Sequence, residues 1–213
     1  MPEPATIAVF AAAALALLVV PGPAVLYVVT QSIGQGRRAG LVSVAGLHVG
    51  SLVHVAAATV GLSSLLVSSA IAFDVVKYVG AAYLVYLGIR RLLGRDRLLA
   101  PGEPSPPRPL SRVFRQGILV ELFNPKTALF FFAFLPQFVD PDRGSPALQF
   151  AILGLVFVVL GLLSDGAWAL AAGTAGAWLR RSSWFTGAER WLSGAVLVAL
   201  GITAALTGQR RAA

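Results

Sequence analysis

The sequence predicts an all-α integral membrane protein with six transmembrane helices, arranged as two inverted repeats of three helices each. The apolar composition, long uncharged runs and a partial internal repeat support this prediction. Of the 213 residues, 57% are hydrophobic and only 12% are charged, whereas a soluble domain averages about 25% charged residues. No Asp, Glu, Lys or Arg lies between Glu3 and Arg37 or between Arg38 and Asp74, and about 20 apolar residues suffice to span a bilayer.

Apolar runs between charged or proline-rich segments mark the six spans. The first run lacks a positively charged start and is too long for a cleaved signal peptide, so we expect it to stay in the mature protein. Several runs exceed the minimum spanning length, which allows a helix to tilt in the bilayer. The predicted helices are Thr6–Ser32, Ala39–Val67, Val75–Leu93, Arg112–Phe138, Ala147–Leu179 and Phe185–Thr207.

A proline-rich segment separates the two halves. The stretch GRDRLLAPGEPSPPRP, from Gly94 to Pro109, combines charges with closely spaced prolines, which exclude regular helix and favour extended backbone. We predict that the two halves together form one transmembrane domain over residues 1–213. Within it, a solvated linker of about residues 94–111 joins repeat one, about residues 5–93, to repeat two, about residues 112–208.

The two halves share a short internal similarity. Segments Lys77–Ile89 (KYVGAAYLVYLGI) and Arg190–Ile202 (RWLSGAVLVALGI) both end in the pattern Leu-Val-x-Leu-Gly-Ile. Each half also opens with a helix that carries a proline motif near its middle. Because three helices per half is an odd number, the second half must insert upside down, which predicts an inverted repeat with a central site between the halves.

The distribution of basic residues predicts the orientation. The chain has 17 Lys and Arg against 9 Asp and Glu, a net charge of +8, and most of the arginines flank span ends on the side of the linker. Cytoplasmic loops of membrane proteins carry an excess of Lys and Arg. We therefore predict a cytoplasmic linker with both termini outside, and we do not expect the basic charge to serve nucleic-acid binding.

Two proline motifs interrupt spans near their centres. Pro lacks an amide donor and disrupts a helix, and irregular backbone in a bilayer is tolerated only inside protein or beside a water-filled cavity. Broken helices at matching positions point to a binding site, where half-helix N-termini offer amide groups to an anion such as a carboxylate. A simple packing kink is the alternative. The predicted site residues are Pro21, Gly22 and Pro23 in the first span and Asn124, Pro125 and Lys126 in the fourth.

Ionisable residues also fall within predicted spans, where a charge costs about 2.5–3.5 kcal/mol on insertion scales and usually signals function. Asp165 could carry a coupling proton or bind an ammonium group. Lys126 could neutralise Asp165 or Glu121, or bind a carboxylate. Glu121 could take part in proton coupling or pair with an arginine near its helix end. His48 could relay protons, because imidazole titrates in the physiological range, although a hydrogen-bonded packing role is the alternative.

Glycines predict where helices approach each other closely. Gly40, Gly46 and Gly50 lie in the second predicted span, and Gly154 and Gly161 lie in the fifth. Small residues allow close contact between helices in membranes. We interpret this pattern as packing and not as a ligand motif.

The absence of certain residue types and sequence motifs excludes several classes of function. The chain has no Cys, which excludes disulfides, thiolate catalysis and Cys-ligated metals. The motifs HExxH, GxxxxGK[ST] and GxGxxG are absent as well, so neither a zinc protease nor a nucleotide-binding protein is indicated. We therefore expect no enzymatic activity, no cofactor and no bound metal, and any transport would use a gradient or a separate partner.

Taken together, these motifs resemble the lysine exporter (LysE/RhtB) superfamily of bacterial amino-acid efflux proteins. The resemblance spans nearly the whole chain in the family's order, and the pairing of Asn-Pro-Lys with a later Pro-Gln-Phe is its most specific feature. It rests on Pro21-Gly22-Pro23, Gly36–Gly50, Lys77–Leu84 with Leu87-Gly88, Phe114–Phe138, and Asp165 followed by Trp168.

The resemblance implies a secondary-active exporter of amino acids or related small metabolites in the bacterial inner (plasma) membrane, driven by the proton motive force. By position, the two proline motifs and Asp165 would line its path, whereas the resemblance assigns no role to Glu121 or His48. The expected partners are a small-molecule substrate, protons and the lipid bilayer, with the substrate and any homo-oligomer left open. The alternatives are a metal-ion exporter of the same superfamily and a non-transporting membrane scaffold or assembly protein.

Overall fold

The computed structural model describes residues 2–63, 70–93 and 109–181, together with several separate helical residues between positions 191 and 206. Regular structure in these ranges is helical throughout. The α-helices are α1 (Pro4–Val19), α2 (Pro23–Gln35), α3 (Arg37–Ala57), α4 (Ala70–Leu92), α5 (Leu110–Leu122), α6 (Pro125–Leu129) and α7 (Pro146–Arg181). The π-helical turns are Ala58–Leu62 and Phe130–Phe134, and the 3₁₀ turns are Leu135–Phe138 and Pro141–Arg143.

Up to four of the described segments are long and apolar enough to cross a membrane. Two are continuous helices, Arg37–Leu62 and Pro146–Thr174. The other two are bent pairs: α1 with α2, and α5 with the helical segment Pro125–Phe138. The first, second, fourth and fifth predicted spans therefore each have a counterpart, whereas six spans in total stay a prediction.

Part of the predicted organisation lies outside the described residues. This applies to residues 94–108 of the linker and to most of the sixth predicted span. The inverted relation of the halves and the orientation in the membrane stay predictions. The two similar segments do touch at one described point, because a Cβ on Gly201 would lie 2.7 Å from the carbonyl oxygen of Ala81.

The two bends occur at the predicted proline motifs. The chain turns by 52° between α1 and α2, and by 43° between α5 and the segment Pro125–Phe138. Pro23 and Pro125 each occupy the first position of the following helix. Proline is well suited to that position because the first amides of a helix have no partner within the helix. The motifs therefore break both spans, as predicted.

Glycines bring α3 and α5 into backbone contact. A Cβ on Gly46 would collide with the carbonyl oxygen of Phe114, and a Cβ on Gly117 would lie 2.9 Å from the carbonyl oxygen of Ser43. Helix α3 also packs against α2 and α7. The predicted packing role of the glycines in the second span is confirmed, and α3 forms the centre of the described helices.

Buried phenylalanines join α1, the second π-helical turn and α7. The ring of Phe130 lies 5.6 Å from that of Phe10 and 5.1 Å from that of Phe157, measured between centroids. All three side chains are almost fully buried. In a bilayer such packing acts mainly through van der Waals contact. It fixes the segment after the second break against α1 and α7, which carry residues of the site described next.

Candidate functional site

A small cavity lies where the two helix breaks meet α3 and α7. Its volume is about 20 Å³, which is room for about one water molecule. One part of its wall is apolar or backbone, formed by Leu17, Leu18, Gly22, Ala24, Val25 and Phe157. The other part is polar, formed by His48, Glu121, Asn124, Lys126, Thr127 and Asp165.

The cavity brings together most of the residues that the sequence singled out. Pro21, Pro23 and Pro125 are not part of its wall and contribute the backbone breaks. Within the ranges that the structure describes, no three His, Cys, Asp or Glu side chains are grouped so that they could hold a metal ion. The predicted residues that line the cavity are Gly22, His48, Glu121, Asn124, Lys126 and Asp165.

The first break exposes a carbonyl group that Lys126 satisfies. Helix α1 ends at Val19, and the backbone of Val20 is extended, with φ −70° and ψ 118°. Nζ of Lys126 donates a hydrogen bond to the carbonyl oxygen of Val20 at 2.6 Å. An unsatisfied backbone group is costly in a bilayer, and the carbonyl end of a helix favours a cation. The lysine therefore joins the second break to the first.

Gly22 provides room for this lysine. A Cβ at position 22 would lie 3.2 Å from Cδ and 3.4 Å from Nζ of Lys126. The backbone of Gly22 has φ −133° and ψ −169°, an extended conformation that any residue adopts. Space beside Lys126, and not backbone conformation, thus explains the glycine of the Pro-Gly-Pro motif.

The second break leaves the carbonyl oxygen of Glu121 without its usual helical partner. The residue four positions later is Pro125, which has no amide hydrogen. The amide of Asn124 donates to this oxygen at 3.0 Å, and Nε2 of His54 donates to it at 3.1 Å. The His54 ring also stacks on Phe131, with centroids 5.9 Å apart. His54 therefore stabilises the break from the side of α3.

Asn124 connects the break to two neighbouring side chains. Its Oδ1 accepts a hydrogen bond from the amide of Lys126 at 3.2 Å, which caps the start of α6. Its Nδ2 donates to Oε2 of Glu121 at 3.1 Å and to Oγ1 of Thr127 at 3.0 Å. Because only an amide side chain can both accept and donate in this way, asparagine fits here better than aspartate.

The carboxylate of Glu121 is buried in this network. The residue is 4% exposed. Its Oε1 accepts a hydrogen bond from Oγ of Ser51 at 3.0 Å, and its Oε2 accepts the hydrogen bond from Asn124. Neutral donors from α3 and from the break thus hold both carboxylate oxygens, and the side chain faces the cavity rather than an arginine at the helix end.

A buried contact between His48 and Asp165 joins α3 to α7. Nε2 of His48 lies 3.3 Å from Oδ2 of Asp165. Neither imidazole nitrogen has a well-aligned hydrogen-bond partner among the described residues. A Cβ on Gly161, one helical turn before Asp165, would collide with Cε1 of His48. The glycine therefore opens the space that places the imidazole beside the carboxylate.

Three polar residues that support this site were not among the predicted site residues. Ser51 and His54 lie far in sequence from Glu121, their common partner, so no local motif reveals them. One signal could have indicated His54: a proline at position 125 predicts that the carbonyl of Glu121 needs a donor from elsewhere. Thr127 follows the capping residue Asn124 by three positions, a spacing at which side chains meet.

Comparisons with known proteins identify the family of the chain. A family model described as LysE type translocator matches residues 15–207. The homoserine/homoserine lactone efflux protein of Salmonella typhi is 35% identical over 162 residues, which cover 75% of this chain and 77% of that protein. An uncharacterised membrane protein of Pseudomonas aeruginosa is 32% identical over 190 residues, 87% of this chain and 88% of that protein. The leucine efflux protein of Salmonella choleraesuis is 29% identical over 147 residues, 69% of each chain.

No solved structure matches the chain significantly. The family match nevertheless covers nearly the whole chain, as the resemblance in the motifs predicted. Because the family is one of membrane translocators, the expectation of a transporter and not an enzyme is confirmed. The two broken helices, the buried ionisable residues between them and the family match lead to one conclusion: the chain belongs to the LysE type translocator family.

Proposed function

We propose that this protein is a secondary-active exporter of amino acids or related small metabolites across the bacterial inner membrane, driven by the proton motive force. The observation that carries the proposal is the cavity between two broken helices, on which Glu121, Lys126 and Asp165 converge. Ionisable groups inside membrane spans mark substrate and proton pathways. Relatives named for homoserine and leucine efflux support an amino acid as the substrate.

The cavity wall suits the two charged ends of an amino acid. The start of α2, a 13-residue helix, offers amides without helical partners and a positive dipole end to a carboxylate. Lys126 brings a basic side chain to the same wall, and a lysine ammonium attracts a carboxylate. Asp165 and Glu121 supply the negative charge that an ammonium group needs.

The apolar part of the wall bears on the side chain of the substrate. Leu17, Val25 and Phe157 lie around the same cavity and offer no hydrogen-bonding side chain. A charged substrate side chain would lose its hydration there without compensation. An uncharged aliphatic side chain therefore fits this wall best.

Substrate binding requires the helices to separate. A cavity of about 20 Å³ accommodates about one water molecule and no amino acid. We propose that the site opens alternately to the two sides of the membrane, as in other transporters built from two repeats. The hydrogen bond from Lys126 to Val20 links the two breaks and is the contact that must yield.

We assign proton coupling to Asp165, with His48 as its partner. A proton that binds Asp165 removes the negative charge that faces His48 and the substrate ammonium, so the substrate is released. Loss of that proton restores the charge and with it the ammonium site. One proton thus enters as one substrate molecule leaves, which makes the protein an antiporter. Glu121 is the second carboxylate through which a proton could pass.

Efflux from proteoliposomes loaded with a mixture of amino acids tests the proposal, with wild type and Asp165→Asn compared under an imposed proton gradient. We expect gradient-dependent loss of at least one amino acid from wild-type vesicles and none from the variant. Loss of a metal ion with retention of every amino acid would favour the metal exporter. Retention of all solutes would favour the scaffold.

The proposed orientation, with a cytoplasmic linker and both termini outside, can be tested separately. Single cysteines introduced at the termini can be labelled from one side of the membrane, since the chain has no Cys of its own.

A further inference from the structure

We propose that the ammonium group of Lys126 is a built-in cation, which occupies a cation site at the carbonyl end of α1. Transport then requires no Na⁺ or other alkali-metal ion at the first helix break. This inference goes beyond the proposed function by excluding one class of coupling ion, and only its transport test rests on that function.

The first argument concerns the position of the ammonium group. In transporters with broken helices, the carbonyl end of a half-helix is where a coupling cation binds, because freed carbonyl oxygens and the negative dipole end converge there. Helix α1 ends at Val19 at such a break. Nζ of Lys126 donates a hydrogen bond to the carbonyl oxygen of Val20 at 2.6 Å, so the lysine already occupies the position where such an ion would bind.

The second argument concerns the other oxygen atoms around the same cavity. Glu121, Thr127 and Asp165 bring carboxylate and hydroxyl oxygens to its wall. Such oxygens are the ligands that hard cations take in proteins. A positive charge is therefore favourable at this place, and Lys126 supplies that charge covalently.

The third argument concerns the fit of the lysine. Gly22 leaves the side chain of Lys126 in van der Waals contact with the backbone of the first break, with no room for a Cβ at an ordinary distance. Lys126 itself follows the second break, one residue after Pro125. A tethered ammonium thus links the two breaks, and it stays at the site without depending on the ion concentration.

Thermal unfolding of purified protein in detergent tests the site without any transport. We would compare wild type, Lys126→Ala and Lys126→Met in NaCl and in choline chloride of equal ionic strength. With Na⁺ at ten times its Kd, we expect the Tm of Lys126→Ala to rise by about 3–6 °C. Wild type and the Met variant, whose side chains fill the site, should stay within about 1 °C.

Two outcomes of this measurement would overturn the inference. An equal rise in wild type would mean that Na⁺ binds elsewhere. An unchanged Tm for Lys126→Ala would mean that no cation site exists at the break. If the Ala variant does not fold, Lys126→Ser takes its place, because a small hydroxyl side chain leaves the same space and adds an oxygen ligand.

Transport gives the second test. Wild-type export should be equal in Na⁺ and choline media, whereas Lys126→Ala should lose at least about tenfold in choline and regain a saturable part of its activity in Na⁺. Na⁺-dependent export by wild type would contradict the inference, and so would a folded Ala variant that shows neither a rise in Tm nor a recovery of export in Na⁺. Absence of export by wild type in every medium would refute the proposed function alone, and the unfolding measurement would still decide the cation site.

Discussion

Nε2 of His48 lies 3.3 Å from Oδ2 of Asp165, and this contact connects α3 to α7 inside the described helices. The sequence pointed to both residues, but separately: Asp165 as a carrier of protons or an ammonium partner, and His48 as a proton relay or a packing residue. Their contact makes them one unit. Substitutions of either residue should therefore affect the same step of transport.

Asp165→Asn should abolish proton-driven export and leave the protein folded. The amide keeps the size of the side chain and cannot take up the coupling proton. We expect the rate of gradient-driven efflux from proteoliposomes to fall by at least about a hundredfold. Asp142→Asn, at an exposed position in the turn Pro141–Arg143, is the matched control and should export like wild type. Wild-type efflux by Asp165→Asn would refute the coupling role.

His48→Gln should reduce export less than Asp165→Asn, because the carboxylate is still present. The double variant should be no worse than Asp165→Asn alone, since residues that act as one unit show strongly non-additive effects. Efflux rates of the two single variants and the double variant measure this. Additive losses would show that the two side chains act in separate steps.

Gly161→Ala should disturb the contact between His48 and Asp165 by crowding the imidazole from α7. The added methyl group collides with Cε1 of His48, and overpacking of this kind costs about 1–3 kcal/mol. We expect a lower Tm and slower efflux. Gly166→Ala, in the same helix with no atom within 4 Å of the added Cβ, is the control and should keep or slightly raise the Tm. Equal behaviour of the two variants would argue against the close fit of His48.

Asn124 variants should separate its two hydrogen-bonding roles. Asn124→Asp keeps the cap of α6 but replaces the donor to Glu121 by a second carboxylate, whereas Asn124→Ala removes both. Loss of a cap costs about 1 kcal/mol. Because the Asp variant places two carboxylates together, its Tm should be restored at low pH, where one carboxylate is protonated, while that of the Ala variant should not. Thermal unfolding at two pH values checks this, and an identical pH response of both variants would contradict it.

His54→Phe should weaken stability and leave coupling intact. Phenylalanine preserves the aromatic contact with Phe131 but removes the donor to the carbonyl of Glu121. The amide of Asn124 still donates to this carbonyl, so the loss of one of its two hydrogen bonds costs about 0.5–1.5 kcal/mol, and the Tm should fall by a few degrees. The dependence of efflux on the proton gradient should stay as in wild type. A loss of gradient dependence at normal stability would instead assign His54 to the proton path.

The breaks of the first and fourth spans were predictable from sequence because their cause is local. Proline has no amide hydrogen, so Pro23 and Pro125 interrupt a helix wherever the chain places them. Composition likewise predicted apolar helices, since any chain with so few charges must satisfy its backbone internally in a bilayer. The six-span total and the inverted repeat depend on segments that are only partly described, and they stay predictions.

The contacts between distant residues were decided by the tertiary structure. Nothing within the sequence pattern pairs Lys126 with the carbonyl of Val20, or His48 with Asp165, because such pairs depend on how helices approach one another. That approach is set by positions such as Gly22 and Gly161, whose missing side chains leave room for a particular neighbour. The sequence by itself determined the apolar helical character of the chain, the two helix breaks and the candidate residues, all of which follow from the chemistry of single residues and short spacings. Only packing in three dimensions decided which of these residues share one cavity and which group each of them contacts.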